Sequence, residues 1–382
     1  MAQRWRVLTL LFLIRTGMAF QFATIGALGP LVGDSFQIDA AGLGFLIGLY
    51  LAPGLIMAVP GGAVGKMIGD KNTVLIGLAI MVIGGLVSAY GATWEMQITG
   101  RILAGAGGVI LNVLMSKMVT DWFAGYEIAT AMAIFVNSWP AGIALALVVQ
   151  PFVGLAGGLE TAFLLTAAFA VAGFVALRVF YSTPESAAGI GGSFPTGAVL
   201  LCVILGGTIW GLYNAAFAMI FNFGPSLLVG RGWELTQASS TTSIAIWVGV
   251  VSVPLGGIIA DRSRHPNLVL VLGCSVSALV LWVLPRVDQV IPMMALTGIV
   301  FGVPVGAIMS LPARVLAPET RALGMGMFLT MFYVFVVISP SVAGYLIDAT
   351  GWDGAAMDLG AVMLLATLPV LAMFEGSAKR LN

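Results

Sequence analysis

Long apolar stretches alternate with short polar connections along the whole chain. A helix needs about 20 mostly apolar residues to cross the hydrocarbon core of a membrane. The first stretch is longer than the apolar part of a cleaved signal peptide and contains Arg15, so we expect it to remain as a span. The pattern predicts an all-α integral membrane protein with twelve transmembrane helices. We number them as spans 1 to 12, at residues 7–32, 41–62, 72–91, 95–118, 127–150, 158–181, 197–222, 237–259, 267–285, 290–313, 321–347 and 354–374.

The composition agrees with a membrane protein and argues against several other classes. Of the 382 residues, 60% are hydrophobic and 8% are charged, whereas a soluble domain carries about 25% charged residues. The formal net charge is zero, so no basic surface for nucleic acid is predicted. The sequence contains no Ser-His-Asp set, phosphate loop or metal-ligand cluster. We therefore expect no enzymatic activity, no cofactor and no metal.

The basic residues of the loops, the tails and the adjoining span ends predict the orientation of the chain. With the N-terminus inside, the outer loops hold only Arg231 and Arg286. Cytoplasmic loops of membrane proteins carry an excess of Lys and Arg, and this bias sets orientation. Both termini are therefore predicted to be cytoplasmic, with the protein surrounded by the lipids of a bacterial inner membrane. The inner loops and tails hold Arg4, Arg6, Lys66, Lys71, Lys117, Arg178, Arg262, Arg264, Arg314, Arg321, Lys379 and Arg380.

The two halves of the chain repeat each other. Gly29-Pro30 recurs as Gly224-Pro225, and Gly62 recurs as Gly257, at one constant offset. Two six-span halves in the same orientation are typical of transporters that bind solute between rocking bundles. We predict an N-terminal bundle at 1–181, a Gly- and Pro-containing cytoplasmic linker at 182–196 and a C-terminal bundle at 197–382, acting as a monomer.

Two short motifs resemble those of a known family. Span 4 carries Arg101-Ile102-Leu103-Ala104-Gly105-Ala106-Gly107, and the end of span 8 and the loop after it carry Gly257-Ile258-Ile259-Ala260-Asp261-Arg262. They resemble the Arg-x-x-x-Gly-x-Gly motif and the Gly-x-x-x-Asp-Arg loop signature of the major facilitator superfamily. The first copy of the loop signature departs from the family, because Lys66 occupies its Asp position and Asp70 a basic position. The resemblance covers nearly the whole chain and implies alternating access at a site lined by spans 1, 4, 7 and 10.

Two charged residues, Arg15 and Arg101, lie deep inside the spans. A charge in the membrane is expensive, so it indicates a functional site. A guanidinium stays protonated and offers a planar set of donors that fits a carboxylate. Some organic-anion carriers of the superfamily similarly place arginines on spans 1 and 4. The alternative is that each arginine reaches the nearer interface and bonds to helix carbonyls; we favour the substrate role for Arg15 and leave both interpretations open for Arg101.

Other polar and aromatic residues are candidates for the lining of the same site. Asn112 follows Arg101 by three helical turns and shares its face, and Phe22 follows Arg15 by two turns. Amides in lipid are costly unless they face protein or a wet cavity. The remaining candidates are Asn137, Trp139, Trp210, Tyr213, Asn214 and Tyr333.

These observations favour a secondary transporter of a small anionic solute. Exchange or facilitated diffusion fits better than proton symport, because no carboxylate or histidine is visible deep inside the spans, and Glu95 and Glu127 lie at span edges. A proton-coupled exporter of drug-like molecules is the first alternative. A non-transporting membrane receptor or assembly subunit is the second.

The altered inner loop predicts a gate. In the superfamily the Asp of the first signature lies beside the start of span 11, where an anion suits the helix dipole. Here Lys66 would meet a positive helix end, so we predict that Glu319 pairs with it. Asp261 and Arg262 are the corresponding gating candidates of the second half. The alternative is that Lys66 only anchors the loop among lipid headgroups.

Overall fold

The structure is a computed structural model that describes residues 3–57, 68–123, 127–183, 194–263, 265–317 and 319–381. The regular elements in these ranges are α-helices and two short 3₁₀ turns. The turns lie at Leu284–Arg286, between spans 9 and 10, and at Pro312–Arg314, between spans 10 and 11. The α-helices run over Gln3–Ala27 and Gly29–Phe36 (span 1), Ala40–Leu49 and Gly54–Met57 (span 2), Asp70–Tyr90 (span 3), Trp94–Trp122 (span 4), Ile128–Val136 (span 5), Ser138–Phe180 (spans 5 and 6), Gly197–Gly230 (span 7), Leu235–Arg262 (span 8), Pro266–Val283 (span 9), Val290–Gly302 and Val305–Ser310 (span 10), Arg321–Thr350 (span 11) and Ala355–Ala378 (span 12).

Within the described ranges, eleven segments are long and apolar enough to cross a membrane. One of them, Thr130–Phe180, has 51 residues, far more than one crossing needs. It turns at Gly158, whose φ of 74° lies in the left-handed region that favours glycine. This segment therefore holds both span 5 and span 6, and the predicted all-α membrane fold is confirmed.

The chain folds into two compact units. The first contains Met1–Ile38 and Leu49–Gly189, and the second contains Asp39–Gly48 and Ile190–Asn382. In the first unit, span 1 packs against spans 5 and 6, and span 3 packs against span 4. In the second, span 7 packs against spans 11 and 12, and span 8 packs against span 10. Most of the predicted linker, residues 184–193, lies outside the described residues.

The segment Asp39–Gly48 contributes the start of span 2 to the second unit. The carboxylate of Asp348, on span 11, accepts hydrogen bonds from the backbone amides of Ala40 (3.1 Å) and Ala41 (2.7 Å). These amides open the helix and have no partner inside it, so an anion is favourable there. The backbones of span 2 and span 11 are in close contact here. A Cβ at Gly44 would clash with the carbonyl of Pro340.

An ionic cluster closes one end of the first unit. Lys117 on span 4 binds the carboxylates of Asp70 (2.5 Å) and Asp121 (2.9 Å). Asp70 opens span 3, and its side chain is only 11% exposed. Asp70, which occupies a basic position of the family's loop signature, therefore has a basic partner on the neighbouring span.

Candidate solute-binding site

Arg15 lies in the core of the first unit and is 9% exposed. Its Nε donates to Oδ1 of Asn112 on span 4, over 3.0 Å. Its Nη1 donates to the backbone carbonyls of Phe135 and Val136 on span 5, each at 3.1 Å. The guanidinium therefore joins spans 1, 4 and 5.

The carbonyls that receive Arg15 lie at a break in span 5. One helix ends at Val136 and the next begins at Ser138, with Asn137 between them. Pro140 has no backbone N–H, so the carbonyl of Val136, four residues earlier, lacks the donor that a continuous helix would supply. Arg15 donates to this carbonyl instead, which explains why a positive charge is tolerated there.

Aromatic rings lie beside the guanidinium. Its carbon is 4.8 Å from the ring centre of Phe135 and 5.8 Å from that of Trp139, distances suited to cation–π attraction. Phe22 stacks on Trp139 with ring centres 5.2 Å apart. The structure thus brings Arg15, Phe22, Asn112 and Trp139 together, and Asn137 marks the break beside them.

Arg101 is 2% exposed and bonds to the backbone of span 1. Its Nη1 donates to the carbonyl of Gln21 and its Nη2 to that of Phe22, both at 3.2 Å. The guanidinium also lies 4.7 Å from the ring centre of Tyr50. Both arginines therefore contact helix carbonyls, as the alternative interpretation expects. In the part of the chain that the structure describes, they are the charged residues classed as buried.

Gln21 and Tyr50 were not among the predicted site residues, although they connect Arg101 to the rest of the unit. The Tyr50 hydroxyl donates to the Met18 carbonyl (3.3 Å) and to Oε1 of Gln21 (3.4 Å). Gln21 in turn donates to the carbonyl of Met81 over 3.2 Å. An amide inside span 1 was the available signal, because such a group needs a partner in lipid.

The candidates of the second unit form an aromatic cluster. Trp210 stacks on Tyr213, with ring centres 5.8 Å apart, and on Phe332, with ring centres 6.4 Å apart. The Tyr213 hydroxyl donates to the carbonyl of Phe301, and Tyr333 is buried. Asn214 donates to the carbonyl of Trp210 on its own helix (2.8 Å), so its amide already has a local acceptor. The offset that relates Gly29 to Gly224 also relates Arg15 to Trp210, so Trp210 is the counterpart of Arg15 in the predicted repeat.

The predicted gating residues are only partly described. Asp261 and Arg262 end the span 8 helix and are exposed, and Glu319 is exposed just before span 11. Lys66 lies outside the described residues, so its pairing with Glu319 stays a prediction. Among the residues that the structure describes, no group of three or more His, Cys, Asp or Glu could hold a metal ion.

The family model of the Major Facilitator Superfamily matches residues 11–315 and 199–381, in two overlapping matches that together cover most of the chain. The chain belongs to the Major Facilitator Superfamily. The superfamily resemblance found in the sequence is confirmed, and the protein is a membrane transporter rather than an enzyme.

Relatives and solved structures of the superfamily span nearly the whole chain. It is 23% identical to a probable sulfoacetate transporter of Cupriavidus necator, covering 91% of this chain and 90% of that one. It is 24% identical to a probable galactarate/D-glucarate transporter of Escherichia coli, covering 99% and 95%. The crystal structure of a D-xylose-proton symporter shares the fold, with a TM-score of 0.76, 15% identity and coverage of 96% and 97%.

Proposed function

We propose that this protein is an alternating-access transporter of a small organic anion and that Arg15 binds the anionic group. The observation that carries the proposal is the position of Arg15, which is buried beside Asn112 and the stacked rings of Phe22 and Trp139. A guanidinium suits a carboxylate or sulfonate because its donors match two oxygens at once. The rings supply an apolar surface for the body of the solute.

The solutes for which two relatives are named support an anionic substrate. Sulfoacetate, galactarate and D-glucarate all carry negative groups, and the transporters named for them align with this chain over nearly its whole length. The identities are 23% and 24%, so the proposal takes from them the charge of the solute and not its structure.

We further propose exchange or facilitated diffusion as the mode of transport, in an inner membrane with both termini cytoplasmic. Proton-driven carriers usually hold a titratable group inside the membrane. Among the described residues, the buried charged groups are the two arginines, which stay protonated.

Substitutions of Arg15 test the proposal in proteoliposomes. Arg15→Ala should abolish anion uptake, and Arg15→Lys should impair it although the charge remains, because the planar donor set is lost. Arg286→Ala is the matched control, since Arg286 binds Asp358 near the end of span 9 and is 33% exposed. We expect the control to transport at close to the wild-type rate.

Arg15 also bonds to span 5, so each variant needs a folding check by size-exclusion chromatography and thermal unfolding. A ligand at 100 times its Kd stabilises a folded protein by about 2.7 kcal/mol. A thermal-shift panel of carboxylates, sulfonates and neutral sugars should therefore show stabilisation by anions in the wild type and not in Arg15→Lys. Normal anion uptake by a folded Arg15→Ala protein would contradict the proposal.

A further inference from the structure

The acceptors of Arg15 on span 5 resemble those of a bound anion. Two backbone oxygens, from Phe135 and Val136, each lie 3.1 Å from Nη1. They carry partial negative charge and hold the guanidinium in a buried position. Since Asn112 accepts from Nε, neutral oxygen acceptors lie on two sides of this cation.

Pro140 is what makes one of these acceptors available. A residue with a backbone N–H at position 140 would donate to the carbonyl of Val136 and draw it into line with the helix axis. The oxygen would then point along span 5 instead of toward span 1. The break at Asn137 therefore converts part of a helix into an acceptor for Arg15.

We propose that the carbonyls of Phe135 and Val136 act as an internal substitute for the transported anion, and that the anion displaces Arg15 from them when it binds. The proposal rests on the proposed function, because it needs Arg15 to bind the solute. In the empty protein the substitute keeps a buried charge hydrogen-bonded, and such a charge is costly without partners. An empty carrier satisfied in this way can change conformation and return without cargo.

The bonds from Arg15 to span 5 should affect both the affinity for the anion and the mode of transport. The bonds to span 5 stabilise the empty state, so the anion must compete with them and its affinity is reduced. The same bonds favour net flux, which requires the return of the empty carrier. Exchange does not require that step, because the carrier is loaded in both directions.

Pro140→Ala tests this idea, since alanine restores the missing amide and suits a helix. We expect the Kd for the transported anion to fall about tenfold to a hundredfold, the size expected from losing one net hydrogen bond to a charged group. The ratio of exchange to net flux should rise by a similar factor. Pro151→Ala is the matched control, because Pro151 lies in the same helix but about 16 Å further along it; it should leave both quantities unchanged.

The outcomes separate this inference from the function on which it rests. If Arg15→Ala abolishes transport while Pro140→Ala changes neither Kd nor the flux ratio, the internal substitute is wrong and the anion site remains. If Pro140→Ala and Pro151→Ala change both quantities equally, the effect belongs to the helix and the substitute is also wrong.

Hydrogen exchange of the wild-type protein provides a test that does not depend on a variant folding. A saturating anion should increase amide exchange in a peptide covering residues 135–141, because the break loses its bridge to Arg15. Slower or unchanged exchange there would overturn the proposal.

Discussion

Asn112 is the residue that determines how strongly Arg15 is held from span 4. Its Oδ1 lies 3.0 Å from Nε of Arg15, and it is a neutral acceptor. A neutral partner leaves the guanidinium with its full charge, which an incoming anion can neutralise. A charged partner at the same place would compete with the solute.

Asn112→Asp should therefore weaken anion binding, because the new carboxylate competes with the solute for Arg15. The new carboxylate would form a charge-assisted hydrogen bond to Arg15, roughly twice as strong as a neutral one. We expect anion affinity, measured by isothermal titration, to fall at least about tenfold. Asn112→Leu is the control of similar size without an acceptor, and it should change affinity much less. Equal affinities of the Asp variant and the wild type would argue against anion binding at Arg15.

Sequence reasoning located the cations of the candidate site better than their acceptors. Arg15 and Arg101 could be found because an isolated charge in an apolar segment is conspicuous. The carbonyls of Phe135 and Val136 could not, because every residue has a carbonyl and only the neighbouring Pro140 shows that one lacks its helical donor. Gln21 and Tyr50 join the polar network through tertiary contacts that no local spacing reveals.

At the scale of elements, the length of the apolar stretches predicted the spans but not their interruptions. Spans 5 and 6 run together through Thr130–Phe180 and are separated by one left-handed glycine, Gly158. Span 10 is divided into Val290–Gly302 and Val305–Ser310. Hydrophobicity reports which residues avoid water, whereas these interruptions depend on single backbone conformations.

The contact between the start of span 2 and span 11 depends on glycines without side chains. A Cβ at Gly44 would meet the Pro340 carbonyl, so the helices would have to separate. We expect Gly44→Ala to destabilise the protein by about 1–3 kcal/mol, the usual cost of overpacking, seen as a lower Tm in detergent. Gly376→Ala is the control, since a Cβ there meets no atom within 4 Å, and it should be neutral or slightly stabilising. Equal Tm values for the two variants would show that this close packing is dispensable.

At the scale of the whole molecule, the distribution of charge constrains the source of energy for transport. The described part of the chain buries two arginines and no acidic residue or histidine. Arginine does not release its proton at any physiological pH. Among the described residues, the candidates for coupling to a proton gradient are groups near the ends of the spans, such as Glu95 and Glu127.

A bare pH gradient should accordingly drive little accumulation in proteoliposomes, whereas anion loaded on the opposite side should stimulate uptake. The measurement is the initial rate of labelled anion entry with each gradient imposed separately. Collapsing the membrane potential with an ionophore provides the control for charge movement. Strong concentrative uptake driven by the proton gradient alone would contradict the proton-independent carrier proposed here.

The placement of Asp39–Gly48 in the second unit means that the predicted sequence repeat and the compact units do not coincide. A polypeptide that began at Ile190 would contain every repeat-derived span of the second half, yet it would lack a helix that Asp348 caps. A polypeptide ending at Gly189 would carry that helix without its partner. The two fragments should therefore behave as a complementing pair: each aggregates when produced alone, and co-expression restores a functional transporter.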